Sequence, residues 1–330
     1  MTLFEMSAKN RKYVLNFLLA HEGRCVALTE RVLRNAGKTY YLAQTDKEPF
    51  VAGVISISKS GTVLHCLPFA GQLSTASKER IGEATEIFAP FFAENHIFCL
   101  SGEEAGTKFL ENAIRLAAVQ EVLEAHAYYR MEYDSERDMI ARRAKEKKSA
   151  EDEYAVREER VQNYGLSVSA GSIEDDEATV ALRDTGTIIK CTTADATRLL
   201  PLQMQYDKAE VLLQGMVEDE NECRLRLVGQ LKIQDIFADI IGDEIVAKAG
   251  TNAKGERWVQ LGGVYTKPLY RRLGIASRLV SHIARTAEAE GKSSALFVKE
   301  LNTSAIHSYE RAGFVRRGSY RIVYYDGYDD

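Results

Sequence analysis

The residues best suited to chemistry in this sequence are two neighbouring arginines and a glycine, where an apolar strand gives way to a helix. They lie in the segment LGGVYTKPLYRRLGIA, from Leu261 to Ala276. Backbone N–H groups at a helix start lack partners within the helix and lie at the positive end of its dipole, so they attract phosphate. Gly274 would let an anion approach the backbone closely, while Arg271 and Arg272 would add charged donors. The segment therefore predicts a pyrophosphate site.

The residues that follow predict the elements that hold this site. Apolar residues recur at fourfold spacing from Ile275 to Ala287, and Gly291 is placed to end that helix. Ala295 to Val298 then predicts a short buried strand, and Asn302 to Ala312 predicts a second helix. Strand, helix, strand and helix in this order are typical of a unit whose strands run parallel.

Two motifs carry a resemblance to a known family. The segment from Arg271 to Ala276 resembles the R/Q-x-x-G-x-G/A signature of the GCN5-related N-acetyltransferases, the GNAT superfamily. Further along, the chain resembles that family's N-x-x-A-x-x-x-Y-x-x-x-G-F segment. The positions concerned are Asn302, Ala305, Tyr309, Gly313 and Phe314. The two motifs occur in this order with a predicted strand between them, which makes the resemblance specific.

The resemblance implies that the protein transfers acetyl from acetyl-CoA directly to a primary amine in a ternary complex. Backbone groups at the end of the strand would then hold the pantetheine arm of coenzyme A, while the helix start would hold its pyrophosphate. The implied binding residues are Val264, Tyr265, Thr266, Arg271, Arg272, Leu273, Gly274, Ile275, Ala276, Asn302 and Ser304.

Amine acetylation requires a deprotonated acceptor, a polarised thioester carbonyl and a stabilised or protonated leaving thiolate. By its match to the family motif, Tyr309 is predicted as the general acid, with a core tyrosine as the alternative. Glu210 is predicted as the general base, and Glu244 or a chain of waters is the alternative. A backbone N–H beside Tyr265 could polarise the carbonyl. The polar stretch from Tyr206 to Val211 is expected to face the acceptor.

The rest of the sequence predicts a second copy of the same fold. The first half predicts helices over residues 10–36, a strand meander from Lys38 to Phe69, then helix, strand, helix and a strand ending at Tyr133. The second half predicts a similar order, and the two halves share the endings HAYYRMEYD and GSYRIVYYD. Where the phosphate site would fall, the first half has AGQLSTAS without paired arginines. We therefore expect the first copy to be degenerate.

We predict an α/β fold of two GNAT-like modules, each a mixed, mostly antiparallel sheet flanked by helices. The degenerate module spans 1–134, a charged linker helix and loop span 135–177, and the acetyl-CoA-binding catalytic domain spans 178–330. The first module could complete the sheet, support a homodimer or wall the substrate cleft. A second acyl-CoA site is the alternative.

Composition and missing motifs argue against several other classes. A net charge of −5 with a pI near 5.8 gives no general nucleic-acid footprint. The sequence has no apolar run long enough to span a membrane and begins without a signal-peptide pattern, so a cytoplasmic location is expected. Five scattered cysteines and the lack of H-E-x-x-H or GxxxxGK[ST] motifs predict no metal site.

Other functions stay open at this point. The same scaffold could transfer a different acyl group, or bind acyl-CoA as a non-catalytic regulator. A structural protein with a filled phosphate site is a third alternative. The acceptor is equally open, because a small amine, an aminoglycoside, a peptide N-terminus and a lysine all satisfy the sequence.

Overall fold

The computed structural model describes residues 1–71, 86–117, 120–140, 186–212 and 219–326. Within these ranges, one sheet is flanked by helices. The strands are β1 (Thr2–Glu5), β2 (Lys38–Ala43), β3 (Gly53–Ile57), β4 (Thr62–Cys66), β5 (Cys99–Glu103), β6 (Val122–Tyr133), β7 (Thr187–Lys190), β8 (Ile236–Ile241), β9 (Glu244–Lys254), β10 (Trp258–Thr266), β11 (Ser293–Lys299) and β12 (Phe314–Tyr325). The helices are α1 (Arg11–Ala20), α2 (Val26–Leu33), α3 (described over 86–93), α4 (Glu104–Ala117), α5 (described over 135–140), α6 (Ala196–Tyr206), α7 (Glu220–Ile233), α8 (Ile275–Ala289) and α9 (Thr303–Arg311).

The order of elements in the first half repeats in the second. Each half runs strand, two helices, three strands, helix, strand, helix and strand. A short 3-10 turn follows the third meander strand in both halves, at Pro68–Gly71 and at Pro268–Tyr270. The two halves therefore have the same order of elements, and the duplication of one module stays a prediction.

The two halves share one sheet and exchange their last strands. The strand order is β1-β2-β3-β4-β5-β12-β6-β11-β10-β9-β8-β7. Strand β6 from the first half pairs with β11, and strand β12 from the second half pairs with β5. The exchanged strands pair antiparallel at the centre of the sheet. The mixed α/β fold is therefore confirmed, with the two expected sheets joined into one.

Parallel pairing occurs in the described sheet at β4–β5 and at β10–β11, and the remaining pairs are antiparallel. Helix α8 packs against the β10–β11 pair through the apolar face that the sequence predicts. Ile275, Leu279 and Ile283 are each at most 2% exposed, and α8 ends before Gly291, which has a φ of +77°. Burial of each such side chain contributes about 1.5–3 kcal/mol, so this face fixes the helix against the sheet.

One helix was not predicted. Helix α7 covers Glu220–Ile233, yet its apolar residues do not form a single stripe. Leu227 is fully buried while Leu225 is 73% exposed. Helical periodicity is therefore weak in this segment, and Asp219, whose side chain caps the helix start, is its clearest local signal.

Some predictions fall outside the described residues. Most of the charged linker lies there, because only 135–140 of it is described, as helix. The AGQLSTAS segment beyond Gly71 also lies there. In the described ranges, every helix is too short or too polar to cross a membrane.

Candidate active site

Strands β10 and β11 separate in the middle of the second half. Their parallel pairing runs from Trp258–Ser293 to Leu261–Leu296, although β10 continues to Thr266 and β11 to Lys299. Beyond the last pair, β10 stays with β9 and β11 stays with β6. We call the opening between Gly262–Thr266 and Phe297–Lys299 the wedge. Strands that separate in this way leave backbone groups free to pair with an extended ligand.

A β-bulge lies on the β10 side of the wedge. The register with β9 passes from Gly262–Gly250 to Tyr265–Lys248, so two residues of β10 lie opposite Ala249 alone. Gly263, in the bulge, has a φ of +61°, which glycine adopts without strain. A glycine pair within a strand, here Gly262 and Gly263, favours such a bulge, which changes the direction of the backbone groups at this point.

The predicted phosphate site lies at the end of β10. A 3-10 turn over Pro268–Tyr270 leads into two left-handed residues, Arg272 at φ +65° and Gly274 at φ +79°. Gly274 is the N-cap of α8, and a Cβ built there would meet nothing within 4 Å. Left-handed turns of this kind direct successive N–H groups toward one side. The start of a 15-residue helix therefore faces open space, and we call this loop and helix start the cradle.

The two arginines of the cradle behave differently. The Nε of Arg271 donates to the carbonyl of Thr266 at 3.1 Å, and its guanidinium lies 5.5 Å from the centre of the Tyr265 ring. The backbone N–H of Arg271 donates to the carbonyl of Pro268 at 3.3 Å. Arg271 thus ties the loop to β10, and the side chains of both arginines are exposed. Leu273 packs against the core beside buried Ile275, and half-buried Ala276 follows.

The remaining predicted binding residues lie on both sides of the wedge. Val264 lies in the bulge of β10 and Tyr265 follows it. The hydroxyl of Thr266, the next residue, is buried without a hydrogen-bond partner in the described part of the chain. On the other side, Asn302 caps α9 by accepting from the N–H of Ala305 at 3.1 Å. Ser304 is exposed on the first turn of that helix.

The predicted acid and base lie close enough to influence each other. Tyr309 is 8% exposed and packs in the core cluster with Ile306. Burial raises the pKa of Tyr309, followed by the electrostatic effects of Tyr206 and Glu210. Glu210 lies in a π-helical turn that follows α6, with an oxygen 3.4 Å from the Nζ of Lys299. Tyr309 therefore lies within electrostatic reach of Glu210, which is paired with Lys299.

The alternative base is engaged elsewhere. Glu244, at the start of β9, accepts from the Nζ of Lys267 at 2.5 Å and from the hydroxyl of Tyr270 at 2.7 Å. The hydrogen bond from Lys267 lowers the pKa of this carboxyl. Glu244 therefore holds the cradle loop, and Glu210 is the candidate nearer to Tyr309.

Sequence reasoning missed three residues at this site. Lys248 is 3% exposed in the middle of β9, and its Nζ donates to the carbonyl of Gly263 at 3.0 Å. A lysine between two alanines inside an apolar strand was the available signal. Lys299 is the last residue of β11, and its pairing with Glu210 could not be predicted from the sequence. Tyr128 reaches the site because β6 is exchanged, and it pairs with Lys299 across the sheet.

Comparison with known proteins identifies the family that the region of the wedge and the cradle matches. Residues 206–314 match the model of the acetyltransferase (GNAT) family, a span that contains the wedge and the cradle. This region is a GNAT domain. The predicted recognition of the family is therefore confirmed, and the family supports an acyl-transfer function in general. A search of curated proteins finds no match to the chain.

Solved structures resemble the chain along almost its whole length. A GNAT-family acetyltransferase from Colwellia psychrerythraea aligns over 99% of this chain and 100% of its own, with 9% identity and a TM-score of 0.51. A Drosophila protein aligns over 98% of both chains, with 11% identity and a TM-score of 0.60. At these identities the similarity is one of fold, and it extends beyond the GNAT domain to the first half.

Proposed function

We propose that the protein is an acetyl-CoA-dependent N-acetyltransferase that acts directly on a primary amine in a ternary complex. The observation that carries the proposal is the placement of the wedge and the cradle at successive points of one strand. An extended arm in the wedge and a pyrophosphate at the cradle would be held by β10 and the start of α8 together. An α/β domain that binds no coenzyme A would not require a wedge followed by a cradle along one strand.

The described residues fit acetyl-CoA. The open space at Gly274 admits a diphosphate to the N–H groups of the helix start, and the exposed side chain of Arg272 adds charge. The unpartnered hydroxyl of Thr266 can bond to an amide of the pantetheine arm. Val264 and Tyr265 offer backbone groups in the wedge, and Ser304 offers a hydroxyl on its other side. Bound acetyl-CoA supplies an activated thioester.

Two residues of the chain are proposed to carry out the proton transfers, one as acid and one as base. Tyr309 is the proposed acid, and burial raises its pKa, so its hydroxyl stays protonated and can donate a hydrogen bond to the thiolate as it leaves. Glu210 is the proposed base, and the ammonium of Lys299 keeps its carboxylate in place. Holding both substrates in the wedge supplies much of the acceleration, because it removes the entropy cost of their encounter. No covalent enzyme intermediate is needed.

The first half has a comparable wedge, but a histidine crosses it. Pairing of β4 with β5 ends at Leu64–Ser101, so His65 occupies the place in β4 that Gly262 occupies in β10. The Nε2 of His65 lies 2.9 Å from the hydroxyl of Thr107 in α4, and any side chain at Gly102 would collide with the ring. These contacts support the proposal of a degenerate GNAT-like module in 1–134 and one acyl-CoA site per chain.

Release of free coenzyme A thiol from acetyl-CoA tests the function directly. We expect turnover with at least one member of a panel of small amines, aminoglycosides, peptides and lysine-containing peptides. Gly274→Glu should abolish it, because a carboxylate at the cradle repels the pyrophosphate. Gly274→Ala is the matched control, since it imposes the same left-handed strain without charge and meets open space.

The outcomes separate the alternatives. Turnover by wild type and Gly274→Ala but not by Gly274→Glu supports the acetyltransferase. Tight acetyl-CoA binding without turnover of any amine would favour a non-catalytic regulator. Preference for a longer thioester would favour another acyl group on the same scaffold. The acceptor, a homodimer and a cytoplasmic location stay predictions.

A further inference from the structure

A buried lysine lies beneath the bulge on the side away from the wedge. Lys248 belongs to β9, and its Nζ donates to the carbonyl of Gly263 at 3.0 Å. The same ammonium lies 4.5 Å from the centre of the Tyr206 ring. Lys248 is 3% exposed. A buried ammonium is costly, so a lysine with these contacts is hard to explain by stability alone.

Titratable groups on the elements packed against Lys248 offset part of the cost of burying its charge. Burial lowers the pKa of Lys248 to about 8, while Asp207, Cys223 and Cys191 raise it in that order. Asp207 follows α6 and pairs with Arg226 of α7 at 3.3 Å. Tyr206 adds its ring face. The ammonium form therefore persists at neutral pH although the side chain is buried.

The hydrogen bond to Gly263 fixes the direction of one particular N–H group. Every peptide bond in the described part of the chain is trans, so the N–H of Val264 points opposite to the carbonyl of Gly263. That carbonyl is directed to the Nζ of Lys248, so the N–H of Val264 points away from this side chain. Strands β9 and β11 lie on opposite sides of β10, so the open space on the side of β10 away from β9 is the wedge. The phenolic oxygen of Tyr206 accepts a hydrogen bond from the backbone N–H of Gly263 and so holds the same bulge.

We propose that Lys248 is a positioning residue of acyl transfer, which holds the bulge so that the N–H of Val264 points at the thioester carbonyl in the wedge. This inference rests on the proposed function. Lys248 does not contact the reacting atoms, and it acts through the Gly263–Val264 peptide. Its positive charge also strengthens that peptide's dipole, because a donor at the carbonyl makes the N–H a better donor in turn.

The test is the carbonyl stretching frequency of bound acetyl-CoA, measured by difference infrared spectroscopy with a ¹³C-labelled acetyl group. Wild-type protein, Lys248→Met and Lys254→Met are compared, with binding confirmed by calorimetry. Lys254 is the matched control because it lies on the same strand and pairs with Asp235 at 3.0 Å, away from the bulge. Thermal melts establish that each variant is folded.

We expect the wild type and Lys254→Met to shift the bound carbonyl to lower frequency, and Lys248→Met to lose most of that shift while still binding acetyl-CoA. With an accepted amine, kcat should fall about 100-fold in Lys248→Met with the KM for acetyl-CoA little changed. An equal shift in all three proteins would overturn the inference while leaving the acetyltransferase intact. Absence of acetyl-CoA binding to the wild type would instead overturn the proposed function, and this inference with it.

Discussion

Replacement of Lys248 by methionine should make the protein more stable while it makes the enzyme slower. Methionine has a similar length and no charge, so it fills the same buried space without an ammonium. The folded state lowers the pKa of Lys248 from its ordinary 10.5 to about 8, chiefly through burial. That difference corresponds to about 3 kcal/mol of destabilisation of the charged form. Loss of the hydrogen bond to Gly263 offsets about 1 kcal/mol. A net gain of about 2 kcal/mol at pH 7 follows.

The stability difference between Lys248→Met and the wild type should change with pH. Below pH 8 the lysine is charged in both folded and unfolded chains, so its full cost is present. Between pH 8 and 10.5 the unfolded chain binds more protons, and the wild type gains stability as the pH rises. The advantage of Lys248→Met should therefore shrink over this range, and it should reverse as the amine becomes neutral in both states.

Urea unfolding of both proteins at pH 7, 8.5 and 10 measures the difference at each pH, with equal m-values as a check. The Lys254→Met variant should show no comparable change with pH, since Lys254 is partly exposed in an ion pair. A Lys248→Met protein less stable than the wild type at pH 7, by an amount independent of pH, would refute this reasoning.

Further predictions concern the acid, a buried ion pair and the first half. Tyr309→Phe should lower kcat while acetyl-CoA affinity stays within a few-fold, and unchanged kcat would exclude Tyr309 as the acid. Arg278→Met should lower the unfolding free energy by about 3–5 kcal/mol, because Arg278 pairs with fully buried Asp239; a change below 1 kcal/mol in urea unfolding would contradict this. His65→Gly should leave kcat for acetyl transfer within about twofold, and a large loss would place the wedge of the first half in the reaction.

The cradle and the bulge could be predicted because both depend on neighbouring residues. A glycine at the N-cap, two arginines and a glycine pair in a strand each act within a few positions of the chain. The apolar face of α8 is equally local, since its period is that of a helix. Tyr309 was found through a motif, which says where the residue lies but not what surrounds it.

The strand exchange could not be predicted, for a physical reason. The two exchanged strands, HAYYRMEYD and GSYRIVYYD, have similar patterns, so either fits beside β5 or β11. Tyr128 therefore reaches the site from the first half without a sequence signal. Lys248 was missed because its role depends on a carbonyl 15 residues away in the chain. Helix α7 was missed because its weak amphipathic pattern gives no clear periodicity.

Calorimetric titration of acetyl-CoA into the wild type and the two Gly274 variants tests the central claim most directly. The account predicts micromolar binding at one site per chain, retained in Gly274→Ala and lost in Gly274→Glu. One site per chain would agree with a first wedge crossed by His65. Wild-type protein that binds no acetyl-CoA, or a Gly274→Glu variant that binds as tightly as the wild type, would contradict it.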